Sequence, residues 1–225
     1  MKKLFLMIAI LISSIAIAQD NLTTNTTSNP VKFGLKLGIN FAKLTDSEDS
    51  GDIDSKARVG VNVGGYIFYK FSKKFAFQPE LLYTTQGLVN EGQSEGNEFK
   101  ITYKLDYIAI PLMFKYYPAK NFNVEFGPQL SFNVSKKIQA KGYGESVTYD
   151  LDEFFDANDI DAKTNTFDLG LNFGLGYELD NGFNFGARYS LGMIKVIEGA
   201  DLVDSYGNSE NIKNSVFTFG VGYTF

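Results

Sequence analysis

The chain has 225 residues, 21 Lys and Arg against 26 Asp and Glu, a formal charge of −5, and no Cys or His. The missing residue types exclude Ser-His-acid triads, His-based metal sites and general bases, cysteine nucleophiles and disulfides. The acidity argues against nucleic acid as a partner, because phosphate binding needs a basic face. A content of 13 Tyr, 21 Phe and 22 Gly points instead to an all-β chain in which bulky aromatics alternate with slim residues.

In chain order, residues 1–18 read as a signal peptide. Lys2 and Lys3 form a positive start, Leu4 to Ile17 an apolar stretch, and Ala16-Ile17-Ala18 a small-x-small cleavage pattern. The stretch is too short to span a membrane comfortably, and without a cysteine the exported chain is not a lipoprotein. Residues 19–30, QDNLTTNTTSNP, form a polar leader expected to be disordered. The remainder, residues 31–225, suits a single domain.

Eight alternating segments follow, near Val31–Phe41, Arg58–Lys70, Phe75–Leu88, Ile101–Tyr117, Phe122–Val134, Thr164–Leu179, Phe183–Lys195 and Asn214–Phe225. Their connections alternate between long (roughly 42–57, 89–100, 135–163 and 196–213) and short (71–74, 118–121 and 180–182). That rhythm predicts an eight-stranded antiparallel up-and-down transmembrane β-barrel with short periplasmic turns and long external loops. Asp180-Asn181-Gly182 is a good tight turn, since Asn and Gly accept positive φ.

Alternate residues of a strand face opposite sides. In the sixth segment Phe167, Leu169, Leu171, Phe173, Leu175 and Tyr177 oppose Asp168, Gly170, Asn172, Gly174, Gly176 and Glu178. The first, fifth, seventh and eighth segments divide in the same way. An eight-stranded barrel has an interior just wide enough for side chains to fill it. Four or more large residues per strand would overfill that space, so the aromatic face is expected to meet lipid and the slim polar face the lumen. Pro79, Pro111 and Pro128 fall inside strands, where each removes a ladder hydrogen bond. Bulges or sharp bends are expected there, and a bulge would let the inward face switch.

Five charged residues of the inward face, Lys36, Glu80, Lys115, Glu125 and Arg188, lie at similar heights above a short turn or a terminus. A charge in a narrow barrel is costly unless paired, so they are expected to form an ion-pair network that plugs the lumen, with a gated ion path as the sharper alternative. The acids of the first loop (Asp46, Glu48, Asp49, Asp52 and Asp54) and of the third (Asp150, Asp152, Glu153, Asp156, Asp159 and Asp161) lack EF-hand spacing. They read as solvated external loops, with loose divalent-cation bridging to lipopolysaccharide as the alternative. Leu151–Ala157 is expected to form a helical turn because Phe154 and Phe155 give the loop something to bury. The last strand places the apolar residues Phe219, Val221, Tyr223 and Phe225 two apart, a pattern suited to the aromatic rim of a barrel and to recognition by the barrel-assembly machinery. No glycine-rich nucleotide motif opens a helix, and no carboxylate pair is placed across a cleft, so no catalysis and no cofactor or metal are expected.

The segments Phe33-Gly34-Leu35-Lys36-Leu37-Gly38-Ile39-Asn40, Gln78-Pro79-Glu80-Leu81-Leu82-Tyr83 with Gly87, Leu105-Asp106-Tyr107-Ile108-Ala109-Ile110-Pro111-Leu112, Phe126-Gly127-Pro128 and the terminal Tyr-x-Phe resemble the PorT-like "outer membrane protein beta-barrel domain" family of Bacteroidetes, over about residues 31–225. The resemblance implies prolines at such positions, an outer-membrane location and usually no assigned activity. PorT itself is tied to type IX secretion, and no motif here separates that role from a generic barrel. The expected protein is a monomeric outer-membrane barrel with a structural or surface-interaction role. Its expected partners are membrane lipid, lipopolysaccharide and the barrel-assembly machinery. The alternatives are an accessory part of type IX secretion, a small pore, and a soluble exported lipocalin-like binder.

Overall fold

The computed structural model describes residues 31–45, 53–94, 97–142, 145–199 and 212–225. The expected signal peptide and leader, and the acids Asp46, Glu48, Asp49 and Asp52 of the first loop, lie outside the described residues. In chain order the elements are β1 (Val31–Leu44), β2 (Ile53–Lys70), β3 (Phe75–Ser94), β4 (Asn97–Tyr116), β5 (Phe122–Gly142), β6 (Glu145–Asp150), α1 (Leu151–Ala157), β7 (Ala162–Thr164), β8 (Phe167–Glu178), β9 (Phe183–Gly192), β10 (Ile197–Gly199) and β11 (Asn214–Thr224). Antiparallel pairing runs from β1 through β5, then to β8, β9 and β11, and β11 returns to β1 from Gly34↔Thr224 to Leu44↔Asn214. The result is a closed ring of eight strands. β6 lies outside the ring as the return limb of the β5 hairpin, and β7 and β10 form a separate two-stranded ribbon.

The alternation in the sequence becomes a wall with two faces. Phe33, Leu35, Leu37, Ile39 and Phe41 of β1 are exposed, as are Phe173, Leu175 and Tyr177 of β8 and Phe217, Phe219, Val221 and Tyr223 of β11. Asn40, Asn62, Glu80, Glu125, Asn172 and Arg188 are buried. The lipocalin-like alternative, with its apolar face inward, has the wall reversed. At the end carrying the short turns the exposed rings form a belt: Tyr69, Phe71, Phe75 and Tyr116 follow one another at centroid distances of 6.1, 6.3 and 5.3 Å. Phe183, Tyr223 and Phe225 continue it at 5.1 and 5.2 Å. Aromatic girdles of this kind mark a membrane interface. In the turn after β8, Leu179 N–H donates to the Phe183 carbonyl (2.7 Å) and Gly182 takes φ +93°.

Three features differ from expectation. First, the strands are longer: β3 and β4 pair out to Ser94↔Asn97, and β5 and β6 out to Gly142↔Glu145, where loops were expected. These extensions stand in water, where the outward face no longer has to be apolar, so the alternation that marks a membrane strand fades while backbone pairing continues. Second, the prolines do not sit at bulges. The register shifts lie between Ala57 and Asn62 in the β2–β3 pair and at Asp106/Tyr107 in the β4–β5 pair. Beside each proline the pairing lapses for two residues and resumes in unchanged register, as between Pro79↔Leu112 and Leu82↔Ala109. The missing N–H weakens the ladder locally without inserting a residue, so no face switches there. Third, the loop side of the lumen is apolar rather than polar.

Candidate functional site

The lumen is filled in layers. Nearest the short turns, Tyr66 reaches across the interior. Its hydroxyl is 2.7 Å from Thr224 Oγ1 and accepts from Asn184 Nδ2 at 2.8 Å. Gly34 makes room for it, since a Cβ there would stand 2.1 Å from the Tyr66 ring.

Above lies the ionic layer. Arg188 on β9 is its hub, donating Nη1 and Nη2 to the two Glu80 oxygens at 2.9 and 2.8 Å and Nε to Glu125 Oε1 at 2.9 Å. Lys36 pairs with Glu80 at 3.4 Å. Lys115 lies 3.7 Å from Glu125 and 3.2 Å from Glu178. Gln78 donates to Glu80 (2.8 Å), and the Tyr117 hydroxyl donates to Glu178 (2.6 Å). Gly174 leaves space for the Glu125 carboxylate, which would be 2.9 Å from a Cβ at that position. The structure thus brings Lys36, Glu80, Lys115, Glu125 and Arg188 together from five strands. It adds Glu178, which balances three cations with three carboxylates. Inward parity and the short distance from the turn both mark Glu178 in the sequence, but it sits lower on the wall than the other five charges. Most of these charges are buried, and the bidentate arginine contact supplies the geometry a buried pair needs to offset desolvation.

The next layer is neutral. Asn40 donates to Thr84 Oγ1 at 2.8 Å and accepts from Thr218 Oγ1 at 2.9 Å. Higher still, Asn214 donates to Asp168 (2.9 Å) and to the Tyr107 hydroxyl (3.2 Å). On the loop side the interior becomes a packed apolar cluster of Leu44, Leu88, Leu105, Tyr107, Ile138, Leu151, Phe155, Val196 and Ile197. Leu151 and Phe155 come from α1, the helix expected over these residues, which folds over the mouth as a lid. Asp150 caps the helix, accepting from Asp152 N–H at 3.1 Å. Asp152 accepts from Lys136 of β5 and from Thr164 N–H at 2.9 Å, tying the lid to the wall and to β7. Partial burial works to raise the Asp152 carboxyl, but these hydrogen bonds outweigh it and hold the group below its ordinary value. Two acids expected to be solvated therefore have structural partners. Among the described residues no group of three or more acids could hold a metal ion.

The closing strand β11 turns Phe219, Val221, Tyr223 and Phe225 outward, and Phe225 N–H donates to the Phe33 carbonyl at 2.9 Å. Phe219 meets Phe41 of β1 at 6.4 Å.

The sequence model of the outer membrane protein beta-barrel domain family matches residues 17–198. Among solved structures, the chain is similar to Neisserial surface protein A (14% identity, covering 86% of this chain and 97% of that one, TM-score 0.45). It is also similar to Ail, the attachment invasion locus protein of Yersinia pestis (12%, 87% and 97%, TM-score 0.38), and to OprG from Pseudomonas aeruginosa (17%, 87% and 94%, TM-score 0.38). No curated protein sequence matches. The family match spans most of the chain, and the chain belongs to the outer membrane protein beta-barrel domain family: it is a small β-barrel protein of the outer membrane.

Proposed function

We propose, from the premise of an outer-membrane barrel, that this protein is a plugged, monomeric barrel with a structural or surface-interaction role and no catalysis. The observation that carries this reading is the filling of the lumen from one end to the other. A neutral set of six paired charges is followed by layers of amides and hydroxyls that include the Asp168 carboxylate, and then by an apolar lid. Among the described residues, an interior layered in this way favours a closed lumen over a conducting path or a cleft in which two groups act on a substrate. Membrane lipid, lipopolysaccharide and the barrel-assembly machinery are its proposed partners, and nucleic acid is not. Planar-bilayer recordings test the plug: the unmodified protein should give no resolved single-channel steps, and large steady steps would establish the small-pore alternative. Stable co-purification with other envelope proteins would favour the secretion-accessory alternative instead.

Phe219, Val221, Tyr223 and Phe225 are proposed as the surface by which the closing strand is recognised during assembly. Changing Tyr223 and Phe225 to Ser is expected to lower the outer-membrane level of the protein. Unchanged levels on membrane fractionation would remove this role.

A further inference from the structure

The outward wall of β4 and β5 carries a charge pattern that the lumen does not use. Past the bulge the two strands remain paired, and Lys104 lies directly opposite Lys137. Thr102↔Gln139 follows, and then Lys100 lies directly opposite Lys141. All four lysines share the outward face, because the residues between them turn the other way. Leu105 and Ile138 enter the apolar cluster, Tyr103 packs against it, and Lys136 reaches the lid through Asp152. Like charges directly opposed across a strand pair work against the pairing, and here two such pairs occur almost in succession.

Internal partners only partly relieve this. Glu91 takes Lys100 at 2.6 Å and Lys56 at 2.7 Å. Asp106 accepts from Tyr83 at 2.9 Å and faces Arg58 at 3.7 Å. Asp150 is opposite Lys137 in register but is engaged as the cap of α1. Lys104, Lys137 and Lys141 have no carboxylate at ion-pair distance among the described residues. Lys104, Lys137 and Lys141 thus form a local cluster of positive charge on a chain whose formal charge is −5.

The height of the patch identifies what it faces. On β4 the outward apolar run through Phe114, Leu112, Ile110 and Ile108 ends at Asp106, and Lys104 is the next outward residue. On β5 the run through Phe126, Leu130, Phe132 and Val134 ends just before Lys137. The lysines therefore stand where acyl chains give way to headgroups, on the side of the long loops, which in an outer-membrane barrel is the external leaflet. We propose that this wall binds the phosphate groups of lipopolysaccharide, with Lys104 and Lys137 as the central pair and Lys100 and Lys141 above them. The proposal rests on the outer-membrane placement and names the part of the wall that the lipid meets.

The test uses the full folded chain in detergent, titrated by calorimetry with diphosphorylated lipid A, with the same lipid A stripped of phosphate, with phosphatidylglycerol and with inorganic phosphate. The phosphorylated lipid A is expected to bind saturably, and K104S/K137S to weaken it about thirtyfold, the effect of two cations at an anionic membrane surface. K73S, in a short turn at the opposite end, should bind as the unmodified chain does. Equal affinity for the stripped lipid, equal affinity for phosphatidylglycerol, displacement by inorganic phosphate, or an unaffected K104S/K137S variant would each overturn the proposal. Heat-modifiable gel migration distinguishes a barrel that fails to bind from one that fails to form. If the double variant does not fold, the exposed K141S is expected to show a roughly fivefold loss, and no loss there would likewise overturn the assignment.

Discussion

The two ends of the lumen are enclosed by the same ring of strands but filled by opposite means. Toward the short turns the interior is held by Arg188, Glu80, Glu125, Lys36, Lys115 and Glu178, whose stability depends on every charge having its partner. Toward the loops it is held by Leu151 and Phe155 packed on Leu88, Leu105 and Ile138, where shape and apolar area count and no partner is needed. The difference predicts that the polar half is brittle and that the apolar half opens separately from it. Removing one member of a charge network strands the others in a poorly solvated space, whereas a lid can lift while the barrel below stays closed.

Arg188→Met tests the brittle half most severely. It leaves Glu80 and Glu125 without their hub, and a loss of about 3–5 kcal/mol is expected. The measurement is urea unfolding in detergent read by heat-modifiable migration, and an unchanged midpoint would show that the network does not hold the barrel. Leu151→Ala tests the other half. It removes a fully buried lid side chain, with a cost of about 2–5 kcal/mol expected to fall on local opening rather than on global unfolding. Hydrogen exchange should rise over α1 and β7 while the ring strands keep their protection. Equal loss in the ring would show that the two halves fold as one.

The smallest effect is on pH. The Asp152 carboxyl lies below its ordinary value, so its contribution is fully present above the usual carboxylate range and is lost as pH falls through the lowered value. The lid should therefore lose exchange protection in acid before the barrel does, and Asp152→Asn should remove that pH dependence. A lid equally protected at acid pH in both proteins would show that the tie to Lys136 and Thr164 contributes nothing.

How much of this was legible in the sequence follows from where each residue sits. In the membrane span one face meets lipid and the other a narrow interior, so every second residue is constrained in size. Phe173 against Asn172 and Gly174 reveals strand, face and direction at once. The same constraint exposed Lys36, Glu80, Lys115, Glu125 and Arg188, since a charge on the slim face can only point inward. Above the span that constraint disappears. Lys137 and Lys141 flank Ile138, which packs inward, but the outward side of β5 there is wet, and the pattern resembles a loop.

The sequence by itself determined the eight strands, their order and which face meets lipid, because these depend on local alternation and on the rhythm of long and short connections. Only the tertiary structure decided that Glu178 completes the ionic layer and that the prolines interrupt the ladder without shifting its register. It also decided that Leu151, Phe155, Val196 and Ile197 return over the mouth, and that four lysines stand in opposed pairs on one wall. Each of these depends on contacts between residues far apart in the chain, whose partners are chosen by the closure of the ring.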